Sequence, residues 1–275
     1  MIARMRYVKS HGLGNDYIVI DPAKVPFHLT PEAVRLICDR HLGVGSDGIL
    51  EVIESGGADF GVRIFNPDGS DAEKSGNGIR IFAKYLREHG YTTADRFTID
   101  TAGGRVAVQL APHDARVAEV TADMGAVTFD ALEFIPVEGR RLAVTSLSIG
   151  NPHCVVIVDD LATVDARRLG PAIETHPAFP AKTNVQFAEI RSRTRIAMEI
   201  WERGAGYTLA SGTSSCAVAA AAHRGGLVDR EVTVSMPGGE LEVTVGRGYA
   251  MRLRGPVEEI TSGDFSPDLL RRLRT

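Results

Sequence analysis

The chain of 275 residues is 44% hydrophobic and 24% charged, which supplies one large or two medium domains and excludes a disordered chain. Its formal net charge of -4 provides no broad basic field, so we expect a small molecule and not nucleic acid as partner. The longest uncharged apolar run, residues 216–222, is far below the roughly 20 residues of a membrane span. No secretory signal is recognisable, so we expect a cytoplasmic protein without a membrane partner.

The sequence predicts neither a metal nor a cofactor. Cys38, Cys154 and Cys216 are far apart and belong to no metal-binding motif, so reduced thiols are expected. None of the lysines lies in a recognisable Schiff-base setting, which argues against pyridoxal phosphate. Residues 43–48 match the glycine pattern of a dinucleotide site, but residues 49–53 continue as a strand where such a site requires a helix.

The first half of the chain is predicted to alternate strands and helices. A Gly-Asn turn and a strand occupy residues 14–20, and Thr30 is the expected cap of a helix from Pro31 to Asp39. Apolar residues at helical spacing predict a second helix over residues 77–89, directly after a Ser-Gly pair. Residues 97–104 indicate a strand that ends in a Gly-Gly hairpin turn.

The second half repeats this order, which indicates an internal duplication. Three segments recur at an offset of 135 or 136 residues: 14–20 at 150–156, Ser75-Gly76 at Ser211-Gly212, and 97–104 at 232–239. The repeat places the second central helix at about residues 213–223, where nearly every side chain is small or apolar. Two matching halves predict two matching domains.

The predicted fold is therefore α+β, with two pseudo-symmetric domains that each wrap a curved, mostly antiparallel sheet around a central helix. We assign residues 1–122 to the first domain and 123–261 to the second, with the link near Asp123. Residues 262–275 are expected to form a closing segment with a short helix that returns to the first domain.

The two Ser-Gly turns suggest a chemistry of their own. Each turn precedes a helix, and the N–H groups at a helix N-terminus favour an anion such as a carboxylate. Equivalent groups on opposite faces of a carbon could remove a proton on one face and return one on the other. The alternative is that both serines only cap their helices, since serine is a favoured capping residue.

Six segments across nearly the whole chain resemble the signature segments of the diaminopimelate epimerases, in that family's order and spacing. They are residues 9–17, 63–70, 75–78, 150–154, 183–185 and 202–206. The resemblance implies a cofactor-independent isomerase that interconverts LL- and meso-diaminopimelate for lysine and peptidoglycan synthesis. It also implies two domains that close on the substrate, and it is compatible with a homodimer.

Ten positions resemble the substrate-binding residues of that family. Four amides and an arginine match the groups that hold the distal amino and carboxyl groups, a glutamate matches the acceptor for the reacting amine, and four helix-end positions match the backbone donors to the α-carboxylate. In that order they are Asn15, Asn66, Asn151 and Asn184; Arg203; Glu202; and Gly76, Asn77, Gly212 and Thr213. Taken singly, these residues could equally be turn asparagines and a surface ion pair.

The two catalytic positions depart from the family, which uses a cysteine at each. Ser75 and Ser211 stand there in this chain. A thiol titrates near 8.5 and an unassisted hydroxyl near 15.7, so the serine alkoxide is roughly 10 kcal/mol harder to form. A serine pair needs a nearby base, strong stabilisation by the helix ends, or a different reaction. Glu73, Lys74 and His153 are the candidate bases, although His153 fits a structural role in its turn segment as well.

Three functions therefore stay open. The first is an amino-acid epimerase for diaminopimelate that works through the serine pair. The second is a related lyase or double-bond isomerase that uses the same two hydroxyls. The third is a catalytically silent protein that binds diaminopimelate. Deliberate replacement of two cysteines would produce the same sequence pattern.

Overall fold

The computed structural model describes residues 6–113 and 116–274, which form two compact units. Of these residues, the first unit comprises 6–113, 116–120 and 256–274, and the second comprises 121–255. The chain passes from the first to the second within a strand, Arg116–Ala126, that contains Asp123. The predicted link near Asp123 thus falls within a strand, and the predicted division into three segments stays a prediction.

The first unit begins with an alternation of strands and two helices. In chain order these are β1 (Arg6–Gly12), β2 (Asn15–Ile20), α1 (Pro31–Cys38), β3 (Ile49–Ile53), β4 (Phe60–Phe65), β5 (Asp71–Ala72), α2 (Gly76–Glu88), β6 (Arg96–Thr101), β7 (Gly104–His113) and the start of β8 (Arg116–Ala126). The predicted cap of α1 is confirmed, because the Thr30 hydroxyl accepts a hydrogen bond from Ala33 N at 3.2 Å.

The second unit contains the rest of β8 and most of the remaining elements. They are β9 (Thr128–Phe129), β10 (Phe134–Val137), β11 (Arg140–Ala143), β12 (Thr145–Ser148), β13 (Pro152–Val158), α3 (Ala166–Glu174), β14 (Asn184–Ser192), β15 (Arg195–Glu202), β16 (Gly206–Tyr207), α4 (Gly212–Arg224), β17 (Glu231–Met236), β18 (Gly239–Val245) and β19 (Ala250–Pro256). Strand β20 (Glu258–Asp264) and helix α5 (Pro267–Leu273) follow in the first unit.

The strand pairing confirms the duplication. In the first unit β1 pairs antiparallel with β2, β2 parallel with β3, β3 antiparallel with β4, β4 parallel with β6, and β6 antiparallel with β7. In the second unit β12, β13, β14, β15, β17 and β18 pair in the same sequence of orientations. Both hairpins predicted at the Gly-Gly positions are present, between β6 and β7 and between β17 and β18.

A buried 13-residue helix lies at the centre of each unit. Helix α2 packs against β1, β2 and β7, and helix α4 packs against β13, β14 and β18. The predicted ranges 77–89 and 213–223 differ from the observed ones by a single residue at each end. The side chains of Leu270 and Leu273 on α5 join the core formed by α1, β2 and β3.

Candidate functional site

Ser75 caps helix α2 in the first unit and receives two hydrogen bonds. Its Oγ accepts from the backbone N of Gly78 at 3.0 Å and from the hydroxyl of Tyr17 at 3.2 Å. Its backbone is extended, with φ -138° and ψ 118°, as a capping residue requires. The capping role considered from the sequence is thus real, and it holds the hydroxyl at the N-terminal end of α2.

Two residues of the first unit that are predicted to bind substrate are joined by a hydrogen bond between their side chains. Nδ2 of Asn77 donates to Oδ1 of Asn15 at 3.0 Å, and Oδ1 of Asn77 accepts from Nη2 of Arg80 at 2.8 Å. Nη1 of Arg80 also donates to the carbonyl oxygen of Gly76 at 3.1 Å. These bonds fix which end of each amide is the donor, since an amide group presents an oxygen on one side and a nitrogen on the other.

Asn15 is also held from its other side by a cluster of charged residues. Its Nδ2 donates to Asp47 Oδ2 at 3.1 Å, and Arg40 Nη2 contacts both Asp47 Oδ1 and Asp16 Oδ1 at 2.8 Å. Burial raises the pKa of Asp16, but hydrogen bonds from Arg40 and Lys9 outweigh it and hold this pKa below its usual value. Burial, with the neighbouring Asp16, raises the pKa of Asp47.

Asn66 lies in the turn that joins β4 and β5. Its Nδ2 donates to Ser70 Oγ at 3.0 Å, and its backbone N donates to Ser70 O at 2.8 Å. Its side chain is partly exposed, and both of these bonds stay within its own turn. The structure thus joins Asn15 and Asn77 directly and holds Asn66 by a separate set of contacts.

Ser211 caps helix α4 in the second unit as Ser75 caps α2. Its Oγ accepts from the backbone N of Ser214 at 3.4 Å, a longer bond than the corresponding one at Ser75. Its carbonyl oxygen accepts from N and Oγ of Ser215. Only 2% of Ser211 is exposed, so this hydroxyl is more enclosed than that of Ser75.

Asn184 and Arg203 meet in the second unit. Oδ1 of Asn184 accepts from the backbone N of Arg203 at 3.0 Å, and its Nδ2 donates to Pro152 O at 2.8 Å. Glu202 ends β15, pairs with Gly206 of β16, and accepts a hydrogen bond from Ala205 N at its carbonyl. This tight hairpin presents Glu202 and Arg203 side by side.

His153 and Asn151 form a buried pair. Nε2 of His153 lies 3.0 Å from Oδ1 of Asn151, and none of the His153 side chain is exposed. Burial, with the nearby Arg203 charge, lowers the pKa of His153 to about 3, although a hydrogen bond with Gln186 opposes this. The ring is therefore neutral and weakly basic at neutral pH, which supports the structural role over that of a base for Ser211.

The sequence and structure comparisons identify the family. The family described as diaminopimelate epimerase matches residues 7–129 and 145–253. Diaminopimelate epimerase 2 of Nostoc sp. is 45% identical, covering 96% of this chain and 97% of that protein. Diaminopimelate epimerase of Pelotomaculum thermopropionicum is 43% identical, covering 95% and 99%. The chain belongs to the diaminopimelate epimerase family.

Solved structures confirm the fold predicted for this family member. A hydroxyproline epimerase from Agrobacterium vitis has a TM-score of 0.78 at 18% identity, covering 97% of this chain and 94% of that chain. A probable proline racemase from Agrobacterium radiobacter K84 has a TM-score of 0.75 at 18% identity, covering 96% and 93%. Family membership makes the protein an isomerase of the amino-acid epimerase type with a small-molecule substrate.

The three cysteines of this family member are all buried in the core. Cys154 and Cys216 are 0% exposed and Cys38 is 4% exposed. Burial raises the pKa of Cys154 to about 12 and that of Cys38 to about 11, the latter against a hydrogen bond with Ser46. Buried, protonated thiols are poor nucleophiles, so core packing is the role that the structure supports for all three.

Alkylation is accordingly expected to leave the native protein unmodified. Iodoacetamide needs an accessible thiolate; burial removes access at all three cysteines, and the raised pKa values also disfavour the thiolate at Cys38 and Cys154. Mass spectrometry of the intact chain after treatment at pH 8 should show no added mass, whereas the urea-unfolded chain should add three groups. Rapid modification that a substrate amino acid prevents would place one of these cysteines at the active site instead.

Residues 6–113 and 116–274 also bear on metal binding and on membrane spans. No group of three or more His, Cys, Asp or Glu side chains within these ranges is placed to hold a metal ion. None of the helices described there is long and apolar enough to cross a membrane.

Proposed function

We propose that this epimerase acts on diaminopimelate, inverting one α-carbon to convert the LL form to the meso form, with Ser75 and Ser211 at the two proton-transfer positions. The observation that carries the proposal is the matched placement of the two serines. Each caps a buried 13-residue helix, at an offset of 136 residues along the chain. Such a pair of equivalent groups suits a reaction that removes a proton from one face of a carbon and returns one on the other.

The helix ends supply the electrostatic part of the proposed reaction. Removing an α-proton moves negative charge into the substrate carboxylate, and oriented backbone N–H groups stabilise that charge without reorganising. The first turns of α2 and α4 begin at Gly76 and Gly212, so the two helix N-termini lie directly beside the two hydroxyls. Arg203 suits the distal carboxylate, because its planar guanidinium can bind both oxygens.

The serine hydroxyls set the expected rate. Two hydrogen bonds to an alkoxide at Ser75 supply about 1.5–3 kcal/mol each and a helix N-terminus supplies up to about 2 kcal/mol, against the roughly 10 kcal/mol deficit relative to a thiolate. The serine alkoxide therefore remains about 2–7 kcal/mol harder to form than a cysteine thiolate. The proposed enzyme is therefore slow, by one and a half to five orders of magnitude relative to a cysteine pair at about 1.36 kcal/mol per tenfold.

Deuterium exchange tests this proposal directly. LL-diaminopimelate incubated with the protein in deuterated water should acquire deuterium at one α-carbon and become meso-diaminopimelate. Binding without exchange or inversion would instead favour the catalytically silent homologue. Loss of the amine or formation of an alkene would favour the lyase or double-bond isomerase. Following α-proton exchange and product chirality together separates all three functions.

Ligand binding is predicted to stabilise the folded protein. Diaminopimelate at a hundredfold excess over its dissociation constant adds about 2.7 kcal/mol, which corresponds to about 5–10 °C in melting temperature for a chain of this size. Arg203→Ala should lose most of this ligand-induced shift, because it leaves a substrate carboxylate without its partner. Arg193→Ala is the control, since Arg193 pairs with Asp229 on an exposed loop of the same unit. An equal shift in both variants would remove Arg203 from the binding site.

Two further expectations, on cellular location and on assembly, accompany the proposed function. A biosynthetic epimerase that acts on a soluble amino acid is expected in the cytoplasm, which fractionation of the source cells tests. A homodimer is the proposed assembly, and light scattering of the purified protein measures it.

A further inference from the structure

Tyr17 brings a second hydroxyl to the capping serine of α2. Its phenol oxygen lies 3.2 Å from Ser75 Oγ, although 58 residues separate the two along the chain. Tyr17 is 7% exposed and belongs to β2, where it pairs with Ser10 of β1. The contact is thus made by a buried side chain on a sheet strand and not by a mobile surface residue.

Gly48 leaves room for the Tyr17 ring. A Cβ at position 48 would lie 2.7 Å from Cε1 of Tyr17 and 2.4 Å from the carbonyl oxygen of Phe65. The carbonyl oxygen of Gly48 accepts a hydrogen bond from Ile18 N at 3.1 Å, which connects the backbone at Gly48 to β2. The sheet therefore holds the phenol in place against Ser75.

Resting on the proposed function, we propose that Tyr17 is the proton-relay partner of Ser75. When Tyr17 is deprotonated, its hydrogen bond with Ser75 reverses and the serine hydroxyl donates to the phenolate. Ser75 then takes the α-proton of the substrate while its own proton passes to the oxygen of Tyr17. The substrate Cα–H bond breaks and a serine O–H bond forms; the original serine O–H bond breaks and a phenol O–H bond forms. Negative charge moves from the phenolate to the substrate carbanion and its carboxylate, so atoms and charge balance without another reactant.

The chemistry of a phenol addresses the weakness of serine as a base. Phenols titrate near 10, within about two units of a cysteine thiol, whereas an unassisted hydroxyl titrates near 15.7. Through the relay, Ser75 gives up one proton as it accepts another and never becomes a free alkoxide. The phenolate of Tyr17 is therefore the base whose pKa determines how readily the α-proton is removed. The relay thus removes most of the deficit in basicity at the Ser75 face, whereas the Ser211 face keeps that deficit and still limits epimerisation.

The relay is confined to the face of Ser75. In the repeat, the position that corresponds to Tyr17 is His153, which is fully buried and bonds to Asn151. The low pKa of His153 makes it a weak proton acceptor at neutral pH. Removing the phenol hydroxyl should therefore affect only reactions in which Ser75 carries the proton.

Charged side chains and histidines lie on the elements that neighbour Tyr17. Those on β1, β2, β3, α2 and the loops that precede β3 and α2 are Arg6, Lys9, His11, Asp16, Asp39, Arg40, His41, Asp47, Glu51, Glu73, Lys74, Arg80, Lys84, Arg87 and Glu88. Lys9 and Arg40 are paired with Asp16 and Asp47. Arg80 bonds to the carbonyl of Gly76, next to Ser75, which brings a positive charge to the N-terminal end of α2.

Exchange of the α-proton of diaminopimelate in deuterated water tests the relay across pH 6–10. Tyr17→Phe should lower exchange at least a hundredfold in the unchanged chain, and by less than tenfold when Ser75 and Ser211 are both cysteine. Tyr85→Phe is the matched control: Tyr85 is buried on α2 and bonds to Tyr91, and exchange should stay within twofold. A fluorinated tyrosine at position 17, which titrates lower than tyrosine, should shift the rising limb of the pH profile to lower pH.

Each other outcome overturns the relay. Equal losses for Tyr17→Phe in both backgrounds would make Tyr17 a structural residue, and an unmoved pH profile with fluorotyrosine would make its hydroxyl only a hydrogen-bond donor. No exchange by the unchanged chain up to pH 10 would also end the relay. In that case, α-proton exchange by the double cysteine variant would still support diaminopimelate as the substrate. If that variant also failed to exchange the α-proton, the proposed function itself would be wrong.

Discussion

Replacing both Ser75 and Ser211 by cysteine is expected to raise the rate of diaminopimelate epimerisation by about one and a half to five orders of magnitude. The substitution exchanges one atom at each helix cap and changes the reference pKa of the group from about 15.7 to about 8.5. Both positions are held in the same capping geometry, with extended backbone and the helix N-terminus beside the side chain. The thiolate is further favoured at this end of a helix.

The controls separate the chemistry at these caps from the mere presence of a thiol. Ser215→Cys adds a thiol to the buried part of α4, one turn beyond the cap, and should give no gain. In the double variant, iodoacetamide should inactivate the enzyme and diaminopimelate should protect it, in contrast to the unchanged chain. If the variant folds and binds diaminopimelate but exchanges no α-proton, the chemistry lies elsewhere in the protein.

The sequence was sufficient to predict the fold because the chain encodes it twice. Repeated Gly-Asn, Ser-Gly and Gly-Gly segments at one offset placed the strands, the two central helices and the hairpins correctly. The apolar periodicity of α2 and the small side chains of α4 gave the helix bounds to within one residue. The duplication placed the link between the halves near Asp123, but that this link is a strand was not visible, because residues 116–126 carry no linker composition and alternate as an ordinary strand does.

The contacts that organise the candidate site could not be predicted in this way. Tyr17 and Ser75 are 58 residues apart, and Asn15 and Asp47 are 32 residues apart. Neither pair leaves a trace in local periodicity, since each depends on which strands become neighbours in the sheet. The resemblance gave Asn15 and Asn77 separate roles in substrate binding, and only the structure shows that their side chains bond to each other.

Arg80 is the clearest case in which local pattern misleads. A charged residue on a helix is usually exposed, yet the Arg80 side chain is completely buried. It lies beside Gly12, where a Cβ would come within 2.8 Å of its Nη2. Its two terminal nitrogens bond to Gly76 O and Asn77 Oδ1, so a single guanidinium supports both the first turn of α2 and the amide pair.

Arg80→Met is therefore expected to lower the free energy of unfolding by about 2–4 kcal/mol and to weaken ligand binding. Methionine fills part of the volume but donates no hydrogen bond, which leaves the buried Asn77 oxygen without this donor. Asn77 can then rotate, and Asn15 loses the bond that fixes one side of its amide. Urea unfolding measures the first effect, and the diaminopimelate-induced shift in melting temperature measures the second.

Arg87→Met on the same helix is the matched control. Arg87 is partly exposed and pairs with Asp95 at 3.2 Å, and such surface pairs contribute at most about 1 kcal/mol. Its loss should leave the ligand-induced shift unchanged. Arg80→Lys keeps the charge but has one nitrogen in place of two, so it should recover part of the stability while failing to bridge Gly76 and Asn77. Full recovery of binding by lysine would show that Arg80 acts through its charge alone and not by orienting the amides.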